Sequence, residues 1–249
     1  MKISIITVCY NANEHISKCI DSVLAQDYKN IEYIIIDGAS SDGTIETIKV
    51  YGDKISKFIS EKDKGIYDAM NKGVSLATGD VVGILNADDI YANSQVISTI
   101  VTAFKGSKVD AICSDVGIYK DTAFQNQFRY YKASRFKLWQ FRLGMQPPHP
   151  GFFVKNECYI KHGNFYDSYR ISADFDLMLR FLWVHKTTFA NIPFMSVKML
   201  DGGASSSGLK SKIKMNKEDL DSLKRNGIYS NTFLIWSKYF LKVFQLLRK

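Results

Sequence analysis

The sequence predicts an α/β fold: a mostly parallel central sheet flanked by helices, followed by an amphipathic helical tail. Two observations lead there. Short apolar, β-branched runs at residues 3–8, 31–36, 55–60, 81–85 and 109–113 alternate with stretches of helical periodicity, the signature of right-handed βαβ units. Several of these runs end in carboxylates, Asp37 after the second and Asp88-Asp89 after the fourth. That places acids at the carboxyl edge of the strands, where open α/β sheets bind ligands.

Residues 3–8 are almost wholly apolar, as a strand buried on both faces must be. Ile16, Cys19, Ile20, Val23 and Leu24 then recur at helical spacing, with Asn13 a plausible cap. Residues 31–36 form the second strand. Ser40-Ser41-Asp42-Gly43-Thr44 reads as a turn capping a short helix through Lys49. Residues 55–60 are a third strand, 66–77 a helix stopped by Gly79, and 81–85 a fourth strand. Val96, Ile97, Ile100, Val101 and Phe104 mark a further helix, and 109–113 a fifth strand. Past Val116 the pattern changes: residues 119–131 are aromatic and polar, suggesting antiparallel strands. Residues 174–185 repeat helically, 187–192 and 195–200 read as two strands, and 201–208 form a Gly/Ser loop without an apolar anchor.

A chain of 249 residues with 46% hydrophobic and 23% charged residues can bury a real core. The formal net charge of +8 favours anionic partners. From Gly208 onward ten Lys or Arg stand against three acids, so this stretch carries +7 and the first 207 residues only +1. The charge belongs to a tail (208–249) and not to the catalytic body (1–207), which argues against nucleic-acid binding. Four cysteines without CxxC spacing fit a reducing cytoplasm and neither a disulfide framework nor a zinc site. The chain opens on a strand-like run, so no signal peptide is expected, and no eighteen-residue apolar run suggests a membrane span. In the tail, Lys238, Lys242, Gln245 and Lys249 form one polar stripe beside Phe233, Trp236, Tyr239, Phe240 and Phe244. Such a helix suits a membrane interface; docking on the domain or on a second subunit, making a homo-oligomer, would read the same.

The chemistry centres on Asn86-Ala87-Asp88-Asp89. Adjacent carboxylates repel unless a cation sits between them, and hard oxygen ligands suit Mg²⁺ or Mn²⁺ holding a diphosphate. One Asp of the pair capping the helix near Ser94 is the competing reading. Asp37 can accept from a base or ribose, or cap a helix, a role that fits Asp42 better. Glu61-Lys62-Asp63-Lys64-Gly65 offers acceptors for a base and cations for phosphate, as any solvated loop would. Asp174 and Asp176 open a helix after Ser172, where acids meet the helix dipole; Asp174 lies nearest the helix start, where it can also receive a proton from an attacking hydroxyl. His149, in Gln146-Pro147-Pro148-His149-Pro150-Gly151, either lines an acceptor pocket or is structural.

In order, residues 4–11, 36–44, 65–73, 77–80, 86–89 and 172–177 resemble the family 2 glycosyltransferases with their GT-A fold, a Rossmann-like sheet. The resemblance covers roughly residues 1–200. It implies an inverting, metal-dependent hexosyltransferase using a nucleotide-sugar, a UDP-sugar first. Thr7, Cys9, Asn11 and Asp37 would face the nucleotide and Asp63 the base. Asn86, Ala87 and Asp88 would meet the donor, with Asp88 the principal metal ligand and Asp89 beside it. Asp174 would be the catalytic base, and the 202–208 loop would close over the diphosphate. The chain departs from many relatives in carrying Asn86 for Asp and Ala173 for Glu; the second carboxylate survives in both places. Members with Asn-Ala-Asp-Asp resemble bacterial enzymes extending O-antigen or capsule repeats on a polyprenyl-diphosphate carrier. That acceptor would suit an enzyme peripheral to the inner face of the cell membrane. The alternatives are a nucleotidyltransferase, which would need a glycine-rich phosphate loop where Cys9-Tyr10-Asn11 stands, and a non-catalytic scaffold of a polysaccharide assembly complex. A dehydrogenase fails for want of GxGxxG.

Overall fold

The computed structural model describes residues 1–202 and 208–247, with side chains described as far as Tyr239 in the last helix. In chain order the elements are β1 (Ile3–Cys9), α1 (Ile16–Leu24), β2 (Ile31–Asp37), α2 (Thr44–Lys49), β3 (Lys57–Ser60), α3 (Ile66–Leu76), β4 (Val81–Ile84), β5 (Ile90–Tyr91), α4 (Val96–Ser107), β6 (Ala111–Tyr119), β7 (Gln127–Tyr131), β8 (Phe152–Lys155), α5 (Asn156–His162), α6 (Ala173–Leu179), β9 (Phe189–Leu200), α7 (Leu209–Arg225) and α8 (Thr232–Leu247).

The sheet runs β3-β2-β1-β4-β8-β6-β9-β5, with β7 on β6. β3, β2, β1 and β4 are mutually parallel. β8 inserts antiparallel between β4 and β6, so β6 and its parallel partner β9 again point the way of β4. Alternation along β1 divides the core. Ile6 and Val8 face a layer built with Tyr67, Met70 and Phe175, while Ile3 and Ile5 face one built with Ile20, Ile97 and Phe104. Helix α3 approaches β1 closely because Gly73 has no side chain: a Cβ there would lie 2.4 Å from Ile6 Cγ2.

Several expectations need correction. The fifth strand is longer than residues 109–113 because β9 pairs along its whole length. The two strands expected over 187–200 are one, β9, with an irregular register where Pro193 has no N–H to give. Asn13 does not cap α1; its Oδ1 accepts from Thr47 Oγ1 at 2.6 Å and its amide donates to Asp42 at 3.1 Å. β5, β8 and α5 carried no legible signal.

The tail is partly integrated. Leu223 of α7 and Ile235 of α8 join the core layer that holds Phe175. Lys238, expected in the outward polar stripe, is buried and pairs with Asp219 at 2.9 Å while its Nζ donates to Gly144 O at 3.2 Å. The reason is proximity: α8 packs on the turn at 138–143 and on α7, which presents an acid there. The side chains of Lys242, Gln245 and Lys249 lie outside the described residues, as does most of the 202–208 loop.

Candidate active site at the carboxyl edge of the sheet

β1, β2 and β3 end level, and β4 stops a few residues earlier, at Ile84 beside Ile6. Cys9 pairs with Asp37 and Asp37 with Ser60, and the Leu85 amide continues the ladder to Ile6 O at 2.9 Å. The loops that follow, at 10–13, 38–43, 61–65 and 86–89, therefore open on one edge.

Asp37 knits three of them. Its Oδ2 accepts from the Ser40 amide at 3.0 Å and from Ser60 Oγ at 2.6 Å; its Oδ1 accepts from Ser40 Oγ and, at 3.5 Å, from the Cys9 thiol. Asp37 is fully buried and these bonds occupy both its oxygens, so it organises the loops from behind. Asn11, in the left-handed region at φ 48°, receives the Ser41 amide on its Oδ1 at 3.0 Å and donates its own amide to Ser40 Oγ at 2.7 Å. Thr7 and Cys9 were expected to face the nucleotide, but strand alternation turns both into the α1 layer. The Thr7 hydroxyl, fully buried, sits 3.1 Å from Tyr33 Oη and 3.6 Å from Cys19 Sγ. Burial pushes the Cys9 thiol well up, with Asp37 adding to it.

Asp63 lies over Gly38: a Cβ on that glycine would be 2.5 Å from Asp63 Oδ2 and 3.3 Å from the Tyr10 ring. Tyr10 is 65% exposed, which leaves an open aromatic face beside the carboxylate. The sequence contained Tyr10 within a motif but gave no reason to single it out.

The acidic turn closes with the Asp89 amide on Asn86 O at 3.0 Å. The Cys19 thiol, pushed by burial up to about 12, donates to the same oxygen at 3.4 Å. Burial lifts the Asp88 carboxyl above its usual range, with His15 acting the other way. Asp89 is lifted further, by burial and then by Asp88; the Leu200 amide, donating to Asp89 Oδ1 at 3.2 Å, opposes this. Asn86 Oδ1 and Asp89 Oδ2 are buried without a protein partner. Two crowded carboxylates with orphaned hard oxygens fit a divalent cation. No cluster of three His, Cys, Asp or Glu side chains able to hold a metal occurs among the described residues. The remaining positions would thus fall to substrate oxygens, as is usual for Mg²⁺.

Asp174 stands in the first turn of α6, whose entry is fixed by Glu218 of α7. That carboxylate accepts the amides of Arg170 at 3.1 Å, Ile171 at 2.9 Å and Ser172 at 3.0 Å. Asp174 Oδ2 accepts from Gln146 Nε2 at 2.6 Å; its Oδ1 lies 3.2 Å from the Tyr67 hydroxyl, which donates to Ile171 O at 2.5 Å. Asp176, by contrast, is buried and pairs with Arg180 at 2.8 Å and Ser222 at 2.7 Å, a purely structural role. Because β8 runs antiparallel to β4, the segment before Phe152, with His149, lies beside the carboxyl end of β4. Asp174 is thus tied through Gln146 to the segment that runs beside the end of β4, and lies next to Tyr67 in the first turn of α3, the helix that follows the Asp63 loop. Glu218 had no signal in the sequence.

A PGL/p-HBAD biosynthesis glycosyltransferase of Mycobacterium bovis is 29% identical over 181 residues, covering 71% of this chain and 68% of its own. Among solved structures, S. aureus TarS in complex with UDP-GlcNAc superposes with a TM-score of 0.67 at 14% identity, covering 90% of this chain and 66% of that one. The mannosyltransferase PcManGT of Pyrobaculum calidifontis, in complex with GDP-Man and Mn2+, gives 0.64 at 17%, covering 90% and 63%. The chain thus spans less than two thirds of these solved chains' length, and the shared architecture is the GT-A fold. Residues 4–168, about two thirds of the chain, match the family description of glycosyl transferase family 2, and the chain belongs to that family.

Proposed function

We propose that this protein transfers a sugar, with inversion, from a UDP-sugar to a hydroxyl of a lipid-linked saccharide, working at the inner face of the cell membrane. The observation that supports the reading is the shared carboxyl edge on which the Asp63 loop and the acidic turn open, with Asp174 joined to Gln146, ahead of β8, and beside Tyr67 of α3. UDP is favoured by Tyr10, Gly38 and Asp63, which together offer a ring face and a carboxylate to a base, and by the UDP-GlcNAc bound to TarS. Asp88 and Asp89 would hold Mg²⁺ or Mn²⁺. When bound, such a cation neutralises charge on the departing diphosphate. Asp174 takes the proton of the acceptor hydroxyl as its oxygen bonds to the anomeric carbon and the bond from that carbon to the diphosphate breaks. Gln146, donating to Oδ2, would hold the carboxylate in place for that step.

A membrane-borne acceptor, of the kind on which O-antigen or capsule repeats are extended, is favoured by the tail. Lys210, Lys212, Lys214 and Lys217 are exposed on α7 with Leu209 and Ile213, and Phe233 and Trp236 are exposed on α8. No helix among the described residues is long and apolar enough to cross a membrane. Residues 1–207 would supply the chemistry and 208–249 the surface contact. The deciding experiment compares Asp174→Asn with wild type. UDP should bind equally to both by calorimetry, while UDP release from a UDP-sugar and acceptor falls by about 10² to 10⁴ in the variant. Equal turnover by the two proteins would end the reading.

A further inference from the structure

Three buried polar atoms near Asp174 have no partner in the protein: Gln146 Oε1, His149 Nδ1 and His149 Nε2. They form a set with a definite polarity. The Gln146 amide is oriented by its Nε2 donating to Asp174 Oδ2 at 2.6 Å, since the reverse orientation would press two oxygens together. Its Oε1 can therefore only accept. His149 is kept neutral by burial, with Asp174 within electrostatic reach and pulling the other way, so its ring presents one donor and one acceptor. Pro147, Pro148 and Pro150 restrict the backbone around it, and the Phe165 ring stands edge-on at 6.2 Å. Buried polar groups left unpaired are costly, and a rigid segment that keeps three of them beside a reactive carboxylate is built for a partner.

We propose that Gln146 and His149 read a second hydroxyl of the acceptor, next to the one that Asp174 deprotonates. The inference rests on the transferase reading and deepens it. A hydroxyl can accept from the imidazole N–H and give its one proton to Gln146 Oε1, so it satisfies two of the three orphaned atoms at once. A phosphate or carboxylate cannot donate when ionised, and would face Gln146 Oε1 and Asp174 with like polarity. The acceptor end is thus a neutral sugar carrying a hydroxyl beside the reacting one, and not a lipid phosphate. This selects an enzyme that extends an existing saccharide over one that begins a chain, so a preceding transferase must supply its substrate.

The test uses the full chain with UDP-sugars and a panel of p-nitrophenyl glycosides, taking the glycoside that wild type turns over fastest and its monodeoxy derivatives. His149→Phe keeps the ring and removes both nitrogens; His149→Asn keeps a donor and an acceptor. Relative to wild type, His149→Phe should raise the acceptor KM roughly tenfold or more, His149→Asn less, with UDP affinity unchanged in both. Wild type should lose roughly a hundredfold in kcat/KM on one deoxy derivative, and His149→Phe should show little further preference against it. The proposal is overturned if the acceptor KM of His149→Phe matches wild type, if all deoxy derivatives react alike, or if wild type binds UDP yet uses only phosphate acceptors. Failure of wild type to bind UDP or release it from any UDP-sugar would instead remove the underlying transferase reading.

Discussion

Asp89 accepts the Leu200 amide at 3.2 Å, which ties the acidic turn to the end of β9. Asp89 is 1% exposed, whereas Asp88 keeps an open side. On the proposed reading Asp88 would address the ligand from its open side, while Asp89 braces the turn through Oδ1 and keeps Oδ2 for the cation. Asp88→Asn is expected to abolish the strengthening of UDP binding by Mn²⁺ while leaving thermal stability unchanged. Asp89→Asn keeps an acceptor for Leu200 and should fold normally; Asp89→Ala should cost about 1 kcal/mol. Calorimetric UDP titrations with and without Mn²⁺, together with melting curves, separate the roles. A normal Mn²⁺ effect in Asp88→Asn would remove Asp88 from the metal site.

Gly38 offers a second, independent probe. A methyl group there meets the tip of the Asp63 side chain at 2.5 Å, and a flexible carboxylate can move aside at little cost in stability. If Asp63 and Tyr10 hold the base, Gly38→Ala should weaken UDP binding roughly tenfold, the equivalent of about 1.4 kcal/mol, with the melting temperature nearly unchanged. Diphosphate binding without the base should be unaffected. Equal loss for UDP and pyrophosphate would place the base elsewhere.

How far the sequence reveals this molecule depends on whether a residue's role is local. The strands at β1, β2 and β4 are legible because burial on both faces leaves an uninterrupted apolar run. All five apolar positions expected on α4 are buried for the same kind of reason. β8 is not legible: Phe152-Phe153-Val154-Lys155 is too short to show a period, and only its pairing partners make it a strand. Thr7 and Cys9 sit in the right motif, yet the pleat directs their side chains away from the edge. Gln146 and Glu218 support Asp174 across 28 and more than 40 residues of chain, a relation that no spacing rule contains. Lys238 fits a polar stripe by its spacing alone, and only α7 reveals the buried acid it meets.

The outer face of α8 tests the membrane proposal without disturbing the core. Phe233 is 81% exposed and Trp236 40%, while Ile235 between them is buried. Deleting the whole tail would remove Ile235 and Lys238 and so unsettle the fold. The double variant Phe233→Ser with Trp236→Ser changes only the exposed rings. It should bind liposomes containing anionic lipid about a hundredfold or more less tightly, each buried ring contributing about 1.5–3 kcal/mol when it enters an apolar phase, with UDP affinity and melting temperature held. Undiminished sedimentation with liposomes would refute a membrane role for this face.

The buried pair of Lys238 and Asp219 makes a prediction whose sign depends on pH. Burial raises the Asp219 carboxyl above its usual range, and Lys238 is the main influence opposing it. In Lys238→Met the opposition is gone, so the folded-state value rises further. A carboxyl whose folded pKa is raised binds its proton more tightly in the folded than in the unfolded chain. Its contribution to stability is full below the unfolded value and is lost as pH rises through the folded one. Lys238→Met should therefore be most destabilised at pH 8, by about 3–5 kcal/mol for an orphaned buried charge, and should recover towards wild type as the pH falls towards 5. Denaturant midpoints measured across that range decide the matter, and a deficit independent of pH would mean that packing of the lysine stem, not its charge, is what α7 and α8 share.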